Sequence, residues 1–419
     1  MPQDTQVTGT KEGLFAVGSP VTHWSVQTSN PVQYEVHVSD DILDPANPAI
    51  LEDTEGAGPV RRLVVTDTVV DALYGERIRA YFDHHQVDHE ILVLADSEQH
   101  KSIEAVLAVT EKLDAFGIDR RREPVIAIGG GVLMDIVGFA SSLYRRATPF
   151  IRIPTTLIGL VDAGVGAKTG VNHNGHKNRL GTYFPASRTL LDRSFLTTLD
   201  TRHISNGLAE ILKIALIKDT RLFDLLEHHG ETVLHNKLQS PDGRGRPSPA
   251  DVPVDQRLSL PGQPLDPATE IIERAIHGML EELQPNLWEK QLERVVDYGH
   301  TFSPTVEMHA LPELLHGEAV SIDMALTTVL AEHRGLVTPF QRQRILTVME
   351  RLGLPSWHPL CTPDVLLPAL RDTVRHRDGQ QRLPLPWGIG SAVFVNDVSE
   401  DELAQAAEAL RDHVRTVSR

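Results

Sequence analysis

The sequence predicts an α/β N-terminal domain with a parallel sheet over residues 1–200, followed by a mainly α-helical domain over 201–419. Three observations predict it. Short β-branched apolar runs recur at 61–70, 89–98 and 124–131 with a helical pattern between them, and that alternation builds parallel sheets. Beyond about residue 200 strand signals nearly vanish and helical periodicity takes over. A length of 419 residues suits two domains.

The elements follow in order. RRLVVTDTVV (61–70) is a strand whose apolar run ends at Asp67, and HEILVLADSE (89–98) repeats the shape. Apolar residues at 103, 106, 107, 110, 113 and 116 mark one face of a helix. PVIAIGGGVLMDIVGFASSL (124–143) imitates a membrane span, but three consecutive glycines and Asp135 make it a strand, a turn and a helix. PFIRIPTTL (149–157) is a further strand ending in a Pro-Thr-Thr turn. Helical patterns then cover 203–218, 268–284, 316–334, 340–352, 363–375 and 400–414. Residues 239–268 are proline-rich and without periodicity, a surface insertion that carries no chemistry.

The formal net charge of −17 argues against nucleic-acid partners and an anionic membrane surface. The single cysteine, Cys361, excludes a disulfide framework and a multi-cysteine metal site. With no secretory leader visible, a cytoplasmic location is expected.

Four groups of residues could carry chemistry. Gly129-Gly130-Gly131 between a strand and a helix would let backbone amides approach a phosphate, or would be a plain tight connection. Residues 145–188 hold seven cations (Arg145, Arg146, Arg152, Lys168, Lys177, Arg179, Arg188) against one acid, Asp162, a local charge of +6. Interleaved with Gly, Asn and Thr, they read as an anion cradle or as a solvated basic loop. Glu210 and Lys213 in GLAEILK share one side of a helix. His300 in DYGHTF and His316 in LLHGEAV, with a carboxylate, would suit a catalytic zinc with open positions. Spacing alone does not establish that site.

The order of these blocks is distinctive. GGGVLMDIVGFASSLYRRATPFIRIPTTLIGLVDAGVGAKTGVNHNGHKNRLGTYFP precedes NGLAEILK, DYGHTFSPTVE and LLHGEAVSI. Over roughly residues 60–380 the chain resembles the sugar-phosphate cyclase family, whose best-known member is 3-dehydroquinate synthase. The resemblance implies an NAD+ site in the α/β half, a divalent metal (Zn2+ or Co2+), a cleft between the halves, a sugar-phosphate substrate and a homodimer. It implies Glu210, His300 and His316 as metal ligands. Arg146, Asp162, Lys168, Asn178, Lys213 and Glu289 match catalytic and phosphate-binding positions. Asp67, Glu98, Lys101, Gly130, Gly131, Asp135, Thr155, Thr156 and Lys177 match cofactor-binding ones.

Departures from the dehydroquinate synthase pattern bear on the substrate. Met279 and Glu293 stand where that enzyme has the two cations that hold a carboxylate, and Glu293 would repel one. Asp297, Pro304 and His376 also differ, and a hydrogen-bonded Asp297–His376 pair would suit a hydroxymethyl group. The pattern resembles the branch that converts sedoheptulose 7-phosphate to 2-epi-5-epi-valiolone by transient oxidation, phosphate elimination, re-reduction and aldol closure. Alternatives are the sister cyclases making 2-epi-valiolone or desmethyl-4-deoxygadusol, dehydroquinate synthase itself and, in another class, a metal-dependent polyol dehydrogenase.

Overall fold

The computed structural model describes residues 13–17, 23–52, 61–239 and 265–417, so most of the insertion expected at 239–268 lies outside the described residues. The chain divides into two units, Met1–Glu35 and Val36–Arg419. In the first, β1 (Gly13–Val17) and β2 (His23–Gln27) pair antiparallel.

The second unit starts at Val36, within β3 (Glu35–Val38), and continues with β4 (Arg61–Asp67) and helix α1 (Thr68–His84). Asp67 ends the strand and caps the helix, its side chain accepting from the amides of Val69 and Val70. Strand β5 (Asp88–Leu94), α2 (Ile103–Phe116), β6 (Val125–Gly129), α3 (Gly131–Leu143) and β7 (Phe150–Pro154) follow. Next come the antiparallel hairpin β8 (Lys168–His173) and β9 (His176–Tyr183), and then β10 (Arg188–Leu191). The large sheet runs in the order β3-β10-β7-β6-β4-β5, and the pairs from β10 to β5 are parallel.

Both faces of this sheet are covered, so its strands are apolar on both sides. Leu63, Val65, Val125 and Ala127 pack with Val106, Leu113 and Ile136 of α2 and α3. Val64, Ile126, Ile128, Ile151 and Ile153 pack with Tyr74, Ile78 and Phe82 of α1. Because β5 and β6 lie on opposite sides of β4, the chain changes direction at the C-terminal ends of β4 and β6, where parallel α/β sheets bind ligands.

The remaining elements are α4 (Thr201–Ile217), α5 (Thr220–His235), α6 (Pro267–Leu283), α7 (Ser303–Ala310), α8 (His316–His333), α9 (Pro339–Arg351), α10 (Pro363–His376), the hairpin β11 (Leu383–Pro386) and β12 (Ala392–Val395), and α11 (Glu400–Val417). The expected helices all form, and α5 and α7 are additional to them. The glycine-rich stretch read as a loop is the β8–β9 hairpin: a side chain on Gly170 or Gly181 would strike the opposite backbone, so small residues there permit pairing. Helices α4 and α8 are buried along nearly their whole length. Their junction is tight: a Cβ on Gly317 would lie 1.9 Å from the Asn206 carbonyl oxygen, and Asn206 Oδ1 accepts from the Gly317 amide at 2.5 Å. That approach brings the first residue of α8, His316, beside the middle of α4. No helix among the described residues is long and apolar enough to cross a membrane.

Candidate active site

One cleft of about 860 Å³ runs from the switch point of the sheet to the junction of α4 and α8. At one end Asp67, Gly130, Gly131, Thr155 and Thr156 line it; at the other, Lys213, Asp297, His300 and His316 do. Glu98, Lys101, Asp135, Asp162, Lys168, Lys177, Asn178 and Glu289 also line it.

The switch-point end is built for close approach. A Cβ on Gly129 would lie 2.9 Å from Asp67 Oδ2 and 2.4 Å from Leu133, so a larger residue there would push both side chains aside. Asp67 spends Oδ1 on capping α1, which leaves Oδ2 facing the turn. Burial raises its carboxyl above the ordinary range against those two amide bonds. Gly130 precedes α3 with no side chain capping the helix, so its first amides face the cleft. The buried Lys101 ammonium joins Asp135 (2.6 Å) to Asn178 Oδ1 (2.7 Å). Glu98 accepts from Asn172 at 2.8 Å. Asn178, expected at the phosphate, thus also belongs to the cofactor-side network.

At the helical end Glu210, His300 and His316 present ligand atoms within 4.8 Å of one another. Glu210 Oε1 is 3.4 Å from His316 Nε2 and 3.7 Å from His300 Nε2. Each imidazole is held through its other nitrogen. His300 Nδ1 lies 3.1 Å from the Tyr298 carbonyl, which only accepts, so the ring donates there and leaves Nε2 free. His316 Nδ1 lies 2.9 Å from Glu307 Oε2, and Lys177 grips the same carboxylate at 2.5 and 2.7 Å. Glu210 is 1 % exposed and its Oε1 accepts no hydrogen bond, a demand that a bound cation would meet. The donor set, two imidazoles and a carboxylate with positions left open, fits a divalent catalytic metal.

The electrostatics of Glu210 and His300 agree with that fit, whereas His316 carries a proton that a bound metal would displace. Burial would raise the Glu210 carboxyl, but Lys213 and the two imidazoles outweigh it and hold it well below the usual range. Burial and the Lys213 cation push His300 down to about 3, keeping its ring neutral. Burial and Lys177 oppose charge on His316, yet Glu307 and Glu210 prevail and raise it to about 9. Lys213 Nζ sits 2.5 Å from Glu210 and 3.9 Å from Asp162, which stands on a single π-helical turn, Gly159–Ala163.

Elsewhere in the cleft Lys168 pairs with Glu289 at 2.7 Å, and Glu289 also meets Arg294 and accepts from Tyr183 Oη at 3.0 Å. The Lys168 side chain is 60 % exposed to the open cleft. Partial loss of hydration within the cleft, and then the nearby Arg294 cation, lower it to about 8.

Several expectations change. Of the seven cations at 145–188, only Lys168 and Lys177 line the cleft. Arg145 and Arg146 are exposed on a turn, Arg179 reaches His376 and Asp372, and Arg152 and Arg188 are buried in the sheet. A charge count over a segment does not see strand alternation, which sends adjacent cations to opposite faces. Glu293 is exposed and lines no part of the cleft, so it repels nothing there. The Asp297–His376 pair is not formed. Helix α10 ends at His376, whose ring faces solvent against Arg179, and the next residue, Arg377, turns inward. Asp297 is bound by Arg377 at 3.0 Å and by Arg294 at 2.5 Å. Glu307, Arg294 and Arg377 are the residues that sequence reasoning missed. A carboxylate seven residues after His300 was the one available signal for Glu307.

Comparison with known proteins agrees with this geometry. Residues 91–206 match the family model described as 3-dehydroquinate synthase N-terminal, and residues 207–374 the one described as 3-dehydroquinate synthase C-terminal. The chain is 59 % identical over 385 residues to a 2-epi-5-epi-valiolone synthase of Actinoplanes sp., covering 92 % of each chain. It is 58 % identical over 403 residues to the enzyme of that name from Streptomyces albus, covering 96 % of this chain and 93 % of the relative. The solved structure of ValA, a 2-epi-5-epi-valiolone synthase from Streptomyces hygroscopicus subsp. jinggangensis with NAD+ and Zn2+ bound, superposes with a TM-score of 0.84 at 54 % identity, over 93 % of this chain and all of ValA. A 2-deoxy-scyllo-inosose synthase, 19 % identical with a TM-score of 0.68, shares the fold. With both family models matching and the Glu210/His300/His316 cluster in the same cleft as the switch point, the chain belongs to the 3-dehydroquinate synthase family of sugar-phosphate cyclases.

Proposed function

We propose that this chain converts sedoheptulose 7-phosphate to 2-epi-5-epi-valiolone and inorganic phosphate. The observation that carries the reading is the single cleft holding both the switch-point cofactor end and the Glu210/His300/His316 triad. Its similarity to 2-epi-5-epi-valiolone synthases supports the choice of substrate.

When bound, NAD+ supplies a reversible hydride acceptor and the divalent metal a Lewis acid. The chain's residues do the rest. Glu210, His300 and His316 would hold the metal, and Asp67, Gly130, Gly131, Thr155 and Thr156 the dinucleotide. Lys168, Lys213 and Asn178 bind and orient the phosphate, with Asp162 holding the Lys213 ammonium toward the cleft. Glu289 fixes Lys168. Asp297, held in place by Arg294 and Arg377, accepts a hydrogen bond from a substrate hydroxyl. Met279, 3 % exposed, offers that region an apolar wall in place of a cation. Arg146 stands outside its own chain's cleft, so a role at the phosphate requires a second copy to present it. We therefore also propose a homodimer, a cytoplasmic enzyme and a division near residue 200 between cofactor-binding and metal-binding domains.

The test is phosphate release from sedoheptulose 7-phosphate by protein supplied with NAD+ and Zn2+ or Co2+, with stereochemical analysis of the product. The expected result is stoichiometric phosphate with no net rise in NADH absorbance. Steady NADH production from an unphosphorylated polyol, without phosphate release, would replace this reading by that of a dehydrogenase.

A further inference from the structure

Arg152 lies in the middle of β7, 0 % exposed, between β6 and β10. Its neighbours Ile151 and Ile153 face the α1 side of the sheet, so Arg152 points to the other side with Phe150, over whose ring its guanidinium sits at 5.1 Å. A cation in such a place is costly unless its donors are well used.

Three of the hydrogen bonds it donates go to one short segment. The guanidinium donates to the carbonyls of Ala163 (3.2 Å), Gly166 (2.5 Å) and Lys168 (3.2 Å). Thr189, the residue of β10 in register with Arg152, donates its hydroxyl to the carbonyl of Gly164 at 2.8 Å. Two adjacent side chains of the sheet thus hold the backbone at 163, 164, 166 and 168. That segment has Asp162 at its start and Lys168 at its end, and both line the cleft. It is already tight, since a Cβ on Gly164 would lie 2.1 Å from the Gly159 carbonyl oxygen. A planar fork with several donors reaches three carbonyls at once, which a lysine ammonium does not do.

We infer that Arg152, with Thr189, is a positioning residue that sets the spacing between Asp162 and Lys168 from behind the cleft. It touches neither substrate nor cofactor. The inference rests on the proposed phosphate-binding role of Lys168 only for its effect on turnover, not for its geometry.

The test compares Arg152→Met, Arg152→Lys and Thr189→Val with Leu113→Ala, a destabilising change in the α2 core. Three quantities are measured: thermal midpoint, kcat and KM for phosphate release, and the acylation rate of Lys168 by acetic anhydride, read by mass spectrometry against the other lysines. Arg152→Met is expected to lower kcat about 100-fold, as misplacement by about 1 Å does, with NAD+ affinity unchanged and Lys168 labelling altered severalfold. Arg152→Lys should recover part of both effects, and Thr189→Val should show a smaller loss in the same direction. Leu113→Ala should move the thermal midpoint and leave kcat and Lys168 labelling as they are. The inference is overturned if folded Arg152→Met keeps kcat and Lys168 labelling within twofold of the parent. It is also overturned if Leu113→Ala gives the same losses at the same midpoint. If Arg152→Met does not fold, Thr189→Val decides by the same two readouts. If the parent releases no phosphate while Lys168 labelling still responds to Arg152, the substrate reading falls and the positioning role stands.

Discussion

Glu307 Oε2 lies 2.9 Å from His316 Nδ1, on the opposite edge of the ring from Glu210. A carboxylate behind a metal-ligating imidazole fixes its tautomer and raises its basicity. Lys177 on β9 holds the same carboxylate, so the hairpin of the α/β half is tied through α7 to the metal end of the cleft. Glu307→Gln should therefore weaken Zn2+ or Co2+ binding about 10–100-fold. Chelator competition and the visible absorption of the Co2+ form would measure this. Unchanged affinity would remove Glu307 from the site.

His300→Ala should abolish metal binding and phosphate release while the thermal midpoint stays near that of the parent's metal-free form. His300 packs its ring into the cleft and leaves the apolar core intact, so the loss is chemical. Treating the parent with chelator should stop turnover, and Zn2+ or Co2+ should restore it; full activity after verified metal removal would contradict the assignment.

Lys168 carries a pH dependence. Its ammonium is lowered to about 8, so the free enzyme loses that charge as pH rises through about 8 and keeps it below. A phosphate dianion needs the charged form. The kcat/KM for sedoheptulose 7-phosphate should therefore fall on the alkaline side above about pH 8. Lys168→Arg, which stays charged, should push that limb upward even where it lowers the plateau. An unmoved limb would assign the ionisation elsewhere.

Gly317→Ala probes the α4–α8 junction. The added methyl would fall 1.9 Å from the Asn206 carbonyl oxygen, a backbone atom that cannot swing aside. A loss of about 1–3 kcal/mol in urea unfolding is expected from the overpacking. Because His316 is the preceding residue, metal affinity should drop with it. Wild-type stability in this variant would mean the two helices separate without cost.

Much of this protein was legible locally. Strand and helix periods come from side chains that repeat within one element, which is why the runs at 61–70 and 124–131 and the helices from 203 to 414 appear in the fold. The resemblance of NGLAEILK, DYGHTF and LLHGEAV to family motifs marked Glu210, His300 and His316 before any geometry was available. What those blocks could not say is which side chains meet. Asp297 chose Arg294 and Arg377 over His376 because α10 stops at His376 and turns the next residue inward. Arg152 left the expected phosphate cradle because strand alternation aims it into the sheet, where carbonyls of a distant loop receive it. Glu307 meets His316 because α7 and α8 converge on one imidazole. The sequence by itself determined the elements, the residue types and their order. Only the tertiary structure decided the partners of each charge, since pairing depends on where chain segments far apart in sequence come to rest.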